Sequence, residues 1–276
     1  PVDLTALPVL TSWQEDGGPF LTLPLVYTEH PVTGEHNLGM YRVQIYSENQ
    51  TGMHWQIHKG GGFHYYEAEQ NGHALPVTVF LGGPPALTIA AITALPEPLP
   101  ELLYASFLMG DKIDMAEISV HQHRLVAEAE FAICGQVPPH TRRPEGPFGD
   151  HYGYYSLAHD FPVFNVQNIY HRQDAIYPAT IVGKPRQEDY YIGEWMQELL
   201  TPLFPLVMPG VKSLWTYAEA GFHTLSAATV RESYFHEALA HCFRILGEGQ
   251  LSLTKVLLAT NKDVDLKDCP RLLETI

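Results

Sequence analysis

Phe20-Leu21-Thr22-Leu23-Pro24-Leu25-Val26-Tyr27-Thr28, then His30-Pro31-Val32-Thr33-Gly34-Glu35, then Met40-Tyr41-Arg42-Val43-Gln44-Ile45-Tyr46, is the stretch whose reading decides the fold. Two runs rich in β-branched and aromatic residues flank a Pro/Gly turn, the pattern of a hairpin. In the second run a two-residue period places Met40, Arg42, Gln44 and Tyr46 on one face and Tyr41, Val43 and Ile45 on the other. Arg42 is then either an ordinary exposed strand residue or an anion clamp, and the pattern alone leaves both open. Working outward, residues 52–58 predict a third strand ending in Lys59-Gly60-Gly61-Gly62, glycines that admit a close ligand or simply make a turn. A short helix at 63–70, ended by Asn71-Gly72, precedes a strand at 75–81. Gly82-Gly83-Pro84-Pro85 and a small-residue helix at 86–93 follow. Strand, Gly/Pro turn and helix N-terminus together have the form of an anion cradle, but no phosphate-loop or dinucleotide fingerprint accompanies them.

After Leu95-Pro96-Glu97-Pro98-Leu99-Pro100 a helix runs from Glu101 to Gly110. Glu101 lies in its first turn, where the helix dipole favours a carboxylate. Strands are expected at 113–120, 123–133 and 161–170, and a helix at 188–204. A strand at 211–218, a segment at 224–230, a helix at 232–246 and a buried strand at 251–260 then open a second α/β unit. The expected organisation is one domain over 1–186, a connecting helix over 187–210, and an incomplete C-terminal α/β domain over 211–276. The start at Pro1 without Met, and the end at Leu273-Glu274-Thr275-Ile276 within a helical pattern opened by Asp268 or Pro270, suggest a piece of a longer polypeptide.

The 276 residues are 45% apolar and 17% charged, a globular composition. A formal charge of −15, from 31 acids against 16 bases with no basic run, argues against a nucleic-acid surface. Fifteen histidines are a rich stock of proton carriers or metal ligands. Cys134, Cys242 and Cys269 are few, scattered and odd in number, which suits reduced thiols and a cytoplasmic compartment. No secretory pattern opens the chain, since Pro1 to Pro8 lacks a basic segment and a long apolar run. Residues 74–96 are uncharged and long enough to span a bilayer, but the Gly/Pro cluster at 82–85 interrupts them, so they read as strand, loop and helix of a core.

The centre of the chain holds Arg143-Pro144-Glu145-Gly146-Pro147-Phe148-Gly149-Asp150-His151-Tyr152-Gly153-Tyr154-Tyr155. Two carboxylates five residues apart sit in a loop that Gly and Pro hold away from helix. Four neighbouring aromatics offer an apolar wall able to raise a carboxyl pKa for general-acid work. By itself the loop reads rather as a surface turn with two solvated acids, since turn chemistry is common and catalytic acids are few.

Three signals in order resemble the UbiD family of decarboxylases: Asn37-Leu38-Gly39-Met40-Tyr41-Arg42-Val43-Gln44, Trp55-Gln56-Ile57-His58-Lys59-Gly60-Gly61, and Glu145-Gly146-Pro147-Phe148-Gly149-Asp150. The likeness continues through Phe161-Pro162-Val163-Phe164 and Arg172-Gln173-Asp174-Ala175-Ile176-Tyr177 and covers essentially the whole chain. It implies an α+β fold, a split β-barrel flavin-binding domain followed by the start of a second α/β domain that helps dimerisation. It also implies prenylated FMN, its phosphate held through Mn2+ (or Mg2+) with K+ nearby, and metal and cofactor binding by Asn37, His58 and Glu101. Amide oxygen, imidazole and carboxylate suit such a cation. Glu97 is the competing carboxylate; the spacing from the Pro-rich turn favours Glu101. The family's catalytic network falls on Arg42, Glu145 and Asp150: Arg42 clamping the substrate carboxylate and touching the cofactor, Glu145 orienting Arg42, Asp150 carrying the proton.

The activity implied is non-oxidative decarboxylation of an aromatic acid through an adduct with the modified flavin, which acts as electron sink. The expected substrate is a 4-hydroxy-3-polyprenylbenzoate of ubiquinone biosynthesis. Alternatives are a reversible carboxylase of phenols, a menaquinone-pathway decarboxylase, or an inactive flavin- or metal-binding homologue. Implied partners are the aromatic acid, a flavin prenyltransferase as cofactor supplier and a second copy of the full-length chain. A prenyl substrate would allow peripheral membrane association. Family members usually carry an N-terminal α/β segment of roughly a hundred residues, the size of one added domain, and a longer C-terminal region with a flavin-contacting Lys. Neither lies within this sequence.

Overall fold

The computed structural model describes residues 2–55, 60–93, 95, 99–118 and 122–276. They fall into two compact units, one formed by 1–150 with 154–181 and the other by 151–153 with 182–276.

The first unit is built on strands β1 (Phe20–Leu21), β2 (Leu25–Glu29), β3 (His36–Met40), β4 (Val43–Ser47) and β5 (Gln50–Gly52). Helix α1 (Gly60–Gln70) and strand β6 (Leu75–Leu81) follow, then helices α2 (Pro85–Ile92) and α3 (Glu101–Met109). Next come the short strands β7 (Met115–Ala116) and β8 (Leu125–Val126), and strands β9 (Phe131–Val137) and β10 (Arg142–Glu145). The unit closes with β11 (Phe148–Gly149), β12 (Tyr155–Ser156) and the long β13 (His159–His171). Among the described residues a nine-stranded antiparallel sheet runs β1-β4-β5-β13-β9-β6-β2-β3, with β10 also pairing β13. The result is a mixed α/β fold around a curled antiparallel half-barrel.

Strand β6 shows why its sequence lacks charge. Leu75, Val77, Val79 and Leu81 join a core with Leu21, Val26, Val43, Trp55 and Tyr65, whereas Phe80 enters a separate core with Leu87, Ala90, Tyr104 and Ala105 of α2 and α3. Both faces are covered, so both must be apolar; each such side chain contributes about 1.5–3 kcal/mol by leaving water. Among the described residues no helix is long and apolar enough to cross a membrane.

Several expectations shift. The turn at 30–35 does close a hairpin, but the partner of β2 is β3, with Glu29 opposite His36. The run at 40–46 breaks at Tyr41 and Arg42, and β4 pairs β1 and β5 instead. Arg42 therefore belongs to neither strand face, and Gln44, expected beside it on a polar face, is buried. The third strand, expected over 52–58, ends at Gly52 among the described residues. The Met53 amide still donates to Pro162 O of β13, but Pro162 has no N–H to return the bond, and the Trp55 amide turns back to Met53 O. Residues 56–58 lie outside the described residues. The triple glycine is the first turn of α1, where small size is needed: a Cβ on Gly61 would press the Trp55 ring at 2.7 Å. Among the described residues, the strands expected at 113–120 and 123–133 shrink to β7, β8 and the start of β9; residues 119–121 lie outside the described residues.

The second unit carries α4 (Glu188–Leu200), α5 (Phe204–Val207), β14 (Val211–Thr216), β15 (Leu225–Val230), α6 (Glu237–Leu246), β16 (Val256–Thr260) and α7 (Cys269–Thr275). Strand β15 pairs antiparallel with β14 and parallel with β16, and the parallel step is bridged by α6, as a crossover requires. Asp268 caps α7 by accepting the Arg271 amide.

Candidate active site

The break between β3 and β4 points the Arg42 side chain at the loop after β10. Its Nε donates to Glu145 Oε1 at 2.7 Å, its Nη2 to Glu145 Oε2 at 3.1 Å and its Nη1 to Asp150 Oδ2 at 3.2 Å. Nη2 also donates to Ser156 Oγ, and the guanidinium lies 4.7 Å from the centre of the Phe148 ring. The three residues expected to form a catalytic network are thus brought together across more than a hundred positions of sequence.

The two acids differ in surroundings. Glu145 is fully buried, whereas the Asp150 side chain is 29% exposed. Burial pushes the Glu145 carboxyl up, but hydrogen bonds from His54 and Arg42, with the Arg42 charge, outweigh it and hold the group below its ordinary value. Glu145 is therefore an ionised anchor. Asp150 accepts a bond from Arg42 and reaches solvent.

The loop's shape is fixed from the N-terminal segment. Gln44 accepts the Gly146 amide and donates to Gly17 O, each at 2.8 Å; Gly17 N donates to Pro147 O. Asp16 accepts the Gly149 amide at 2.7 Å through one oxygen and the Trp13 amide through the other. Gly149 is needed for close approach, since a Cβ there would fall 2.1 Å from the Trp13 ring. Sequence reasoning assigned nothing to Asp16, Gln44, Ser156 or His54. His54 had a readable sign: Met53 and Trp55 are apolar and buried, so the residue between them turns the other way.

Of the expected metal-binding residues, Asn37 and Glu101 come to the same end of β3. Glu101 Oε2 accepts the Leu38 amide at 3.0 Å, and burial raises the Glu101 carboxyl above its usual value. Asn37 Nδ2 donates to the Tyr41 hydroxyl, which also receives the Gly61 amide. A Cβ on Gly60 would fall 2.0 Å from Asn37 Oδ1, so the amide oxygen occupies space that only glycine leaves open. Half-buried carboxylate and amide oxygens fit a hard divalent cation. His58, the third expected ligand, and Glu97, the competing one, lie outside the described residues. Among the described residues, no group of three or more His, Cys, Asp or Glu side chains forms a metal site by itself.

With this geometry in view, comparison with known proteins is informative. Residues 1–185 match the 3-octaprenyl-4-hydroxybenzoate carboxy-lyase Rift-related domain, and residues 190–276 match the C-terminal domain of the same carboxy-lyase. A Chlamydia pneumoniae protein named as one subunit of a 4-hydroxybenzoate decarboxylase is 60% identical over 275 residues, spanning 100% of this chain and 47% of its own length. An uncharacterised Archaeoglobus fulgidus protein is 38% identical over 266 residues, covering 96% of this chain and 55% of that protein. The chain thus spans about half the length of the curated relatives it matches. Among solved structures, vanillic acid decarboxylase of Sedimentibacter hydroxybenzoicus superposes with a TM-score of 0.91 at 23% identity, over 99% of this chain and 59% of that one. An evolved dimeric form of the UbiD-class enzyme HmfF from Pelotomaculum thermopropionicum, in complex with prFMN, gives 0.85 at 23% identity, over 99% and 63%. At that identity the structures speak for the fold, while the domain matches across both units speak for descent: the chain belongs to the UbiD family.

Proposed function

We propose that the whole protein decarboxylates an aromatic acid with the aid of prenylated FMN. The observation that carries this reading is one guanidinium, Arg42, held between a buried carboxylate, Glu145, and a solvent-reaching one, Asp150. When bound, the flavin would supply an electron sink for the pair released as the ring–carboxylate bond breaks. Glu145 fixes Arg42 through two prongs, and the guanidinium, which Asp150 shares through Nη1, would meet the substrate carboxylate in a charge-assisted pair. Asp150 returns a proton to the ring carbon that loses CO2. Phe148 lies against the Arg42 guanidinium and Phe161 against the His54 ring, giving the network an apolar border. Asn37, His58 and Glu101 would hold Mn2+ or Mg2+ at the flavin phosphate, with K+ nearby. A flavin prenyltransferase would supply the cofactor, and the full-length chain would act as a homo-oligomer.

The substrate we propose first is a 3-polyprenyl-4-hydroxybenzoate of ubiquinone biosynthesis, the acid in the description of both matched domains. The name of the Chlamydia pneumoniae relative supports a second reading, unprenylated 4-hydroxybenzoate. Co-expression of the full-length protein with a flavin prenyltransferase should yield an altered flavin spectrum and CO2 release from one member of an aryl-acid panel. A protein with bound cofactor that turns over none of them would sink the proposal.

A further inference from the structure

His54 meets the catalytic network at Glu145 Oε2, the oxygen that Arg42 Nη2 also reaches. Its Nδ1 lies 3.1 Å from Glu145 Oε2. An ionised carboxylate can only accept, and the Glu145 carboxyl is held in its ionised form, so Nδ1 must carry the proton of this bond. The ring is not free to turn away. It lies against the Phe161 ring, centroids 4.2 Å apart and planes tilted by 35°, the His54 amide donates to Arg42 O at 3.4 Å, and buried Met53 and Trp55 fix the chain on either side.

We propose that His54 is a positioning residue that holds Glu145 independently of Arg42. The inference rests on the decarboxylase reading for its kinetic consequence, but not for its structural one. Arg42 must serve Glu145, Asp150 and the incoming carboxylate together. Were it the sole donor to Glu145, each rearrangement at Asp150 or at the substrate would also release the anchor. With the second donor in place, Oε2 keeps a partner from β5's C-terminal extension and Glu145 stays in one orientation while Arg42 adjusts. Its side chain meets Glu145 and the Phe161 ring, so the effect of His54 passes through Glu145.

Two measurements test this. On the intact protein, without cofactor, nitrogen NMR of 15N-histidine-labelled material should find the His54 proton on Nδ1. A His54 whose Nδ1 is unprotonated overturns the proposal whatever the activity proves to be, and needs no variant to fold. In the flavin-loaded enzyme, His54→Phe retains an aromatic ring against Phe161 but lacks the donor. It should keep its flavin and a KM within about threefold, while kcat falls on the order of 10- to 100-fold, as expected for a misplaced catalytic group. His54→Asn, whose amide nitrogen replaces Nδ1, should recover kcat to within roughly fivefold of the parent. A His54→Phe enzyme with unchanged kcat, or a His54→Asn enzyme no better than it, overturns the positioning role. If no aryl acid is turned over by the parent, the function reading fails while the NMR result still decides the place of His54.

Discussion

Glu69 and Arg142 form a two-pronged ion pair, Nη1 to Oε1 at 2.8 Å and Nη2 to Oε2 at 2.9 Å, joining α1 to the first residue of the strand that ends in Glu145. The Tyr65 hydroxyl and the His140 amide complete the shell around Glu69. Arg142, then burial working against it, then the remaining donors set the Glu69 carboxyl at about 2, from an ordinary 4.5. The folded value is the lower one, so this stability is fully present above the ordinary carboxylate range and is lost as pH falls through 2. Arg142→Met should therefore cost roughly 1–3 kcal/mol at neutral pH, the penalty of a nearly buried acceptor left short of donors. Urea unfolding from pH 7 to pH 2.5 would check it: the gap between parent and variant should narrow as the solution becomes acid.

A second pH effect comes from His64. It is 6% exposed, its Nδ1 meets Thr28 Oγ1 at 2.9 Å, and His30 stands edge-on 5.3 Å away. Burial, helped by His30 and His36 and opposed by Glu35, lowers its pKa from 6.5 to about 4. The unfolded chain binds the proton more readily, so stability is present above 6.5 and declines as pH falls from there to 4. His64→Asn keeps a donor near Thr28 and removes the titration. Melting temperatures recorded between pH 7 and pH 4.5 should fall less steeply for that variant than for the parent.

The apolar patterning of this chain was readable where a single rule governs a segment. Strand β6, α2 and the end of α3 at Gly110 follow directly from burial period and breaker residues; Gly110 takes φ 68°, the left-handed form of a helix stop. The site was harder. Arg42 looked like one residue of a continuous strand, but a break of the pairing after Met40 is what turns it inward. No local pattern reveals such a break, because it depends on β4 pairing with β1 and β5 rather than with β2. Resemblance supplied Asn37, Arg42, Glu145 and Asp150, and geometry unites the last three. His54 and Asp16 escaped both routes, since each acts through a partner distant in sequence, 91 residues away for His54 and 133 for Asp16.

Asp16 leads to a prediction about loop order. Its carboxylate is the acceptor for the Gly149 amide, one residue from Asp150. Asp16→Ala should leave the fold within about 3 kcal/mol of the parent, since it removes two charge-assisted bonds, from the Gly149 and Trp13 amides, at a partly exposed site. Hydrogen exchange at Gly149 should accelerate clearly, and turnover should fall about tenfold as Asp150 loses its fixed distance. Unchanged exchange at Gly149 would show that Trp13 and Gln44 alone hold the loop.

The metal reading is tested at both ends of the expected ligand set. His58→Ala and Asn37→Ala should each lose divalent metal and flavin together, seen by elemental analysis and by flavin absorbance of the purified full-length protein. Retention of both groups in His58→Ala would make His58 a core histidine.

The two acids should separate under substitution. Asp150→Asn retains an amide oxygen that can accept from Arg42 Nη1 at the present 3.2 Å, so flavin binding and the fold should persist. What it cannot do is deliver a proton, and turnover should fall by at least about 100-fold, the low end of what one acid/base group contributes. Glu145→Gln acts differently: it replaces a fully buried anion with an amide facing both Arg42 and His54, and one of those donors must then meet an NH2 group. It should lose stability as well as activity, by about 1–3 kcal/mol in urea unfolding. Equal stability losses for the two variants would contradict the division of an anchoring Glu145 from a proton-carrying Asp150.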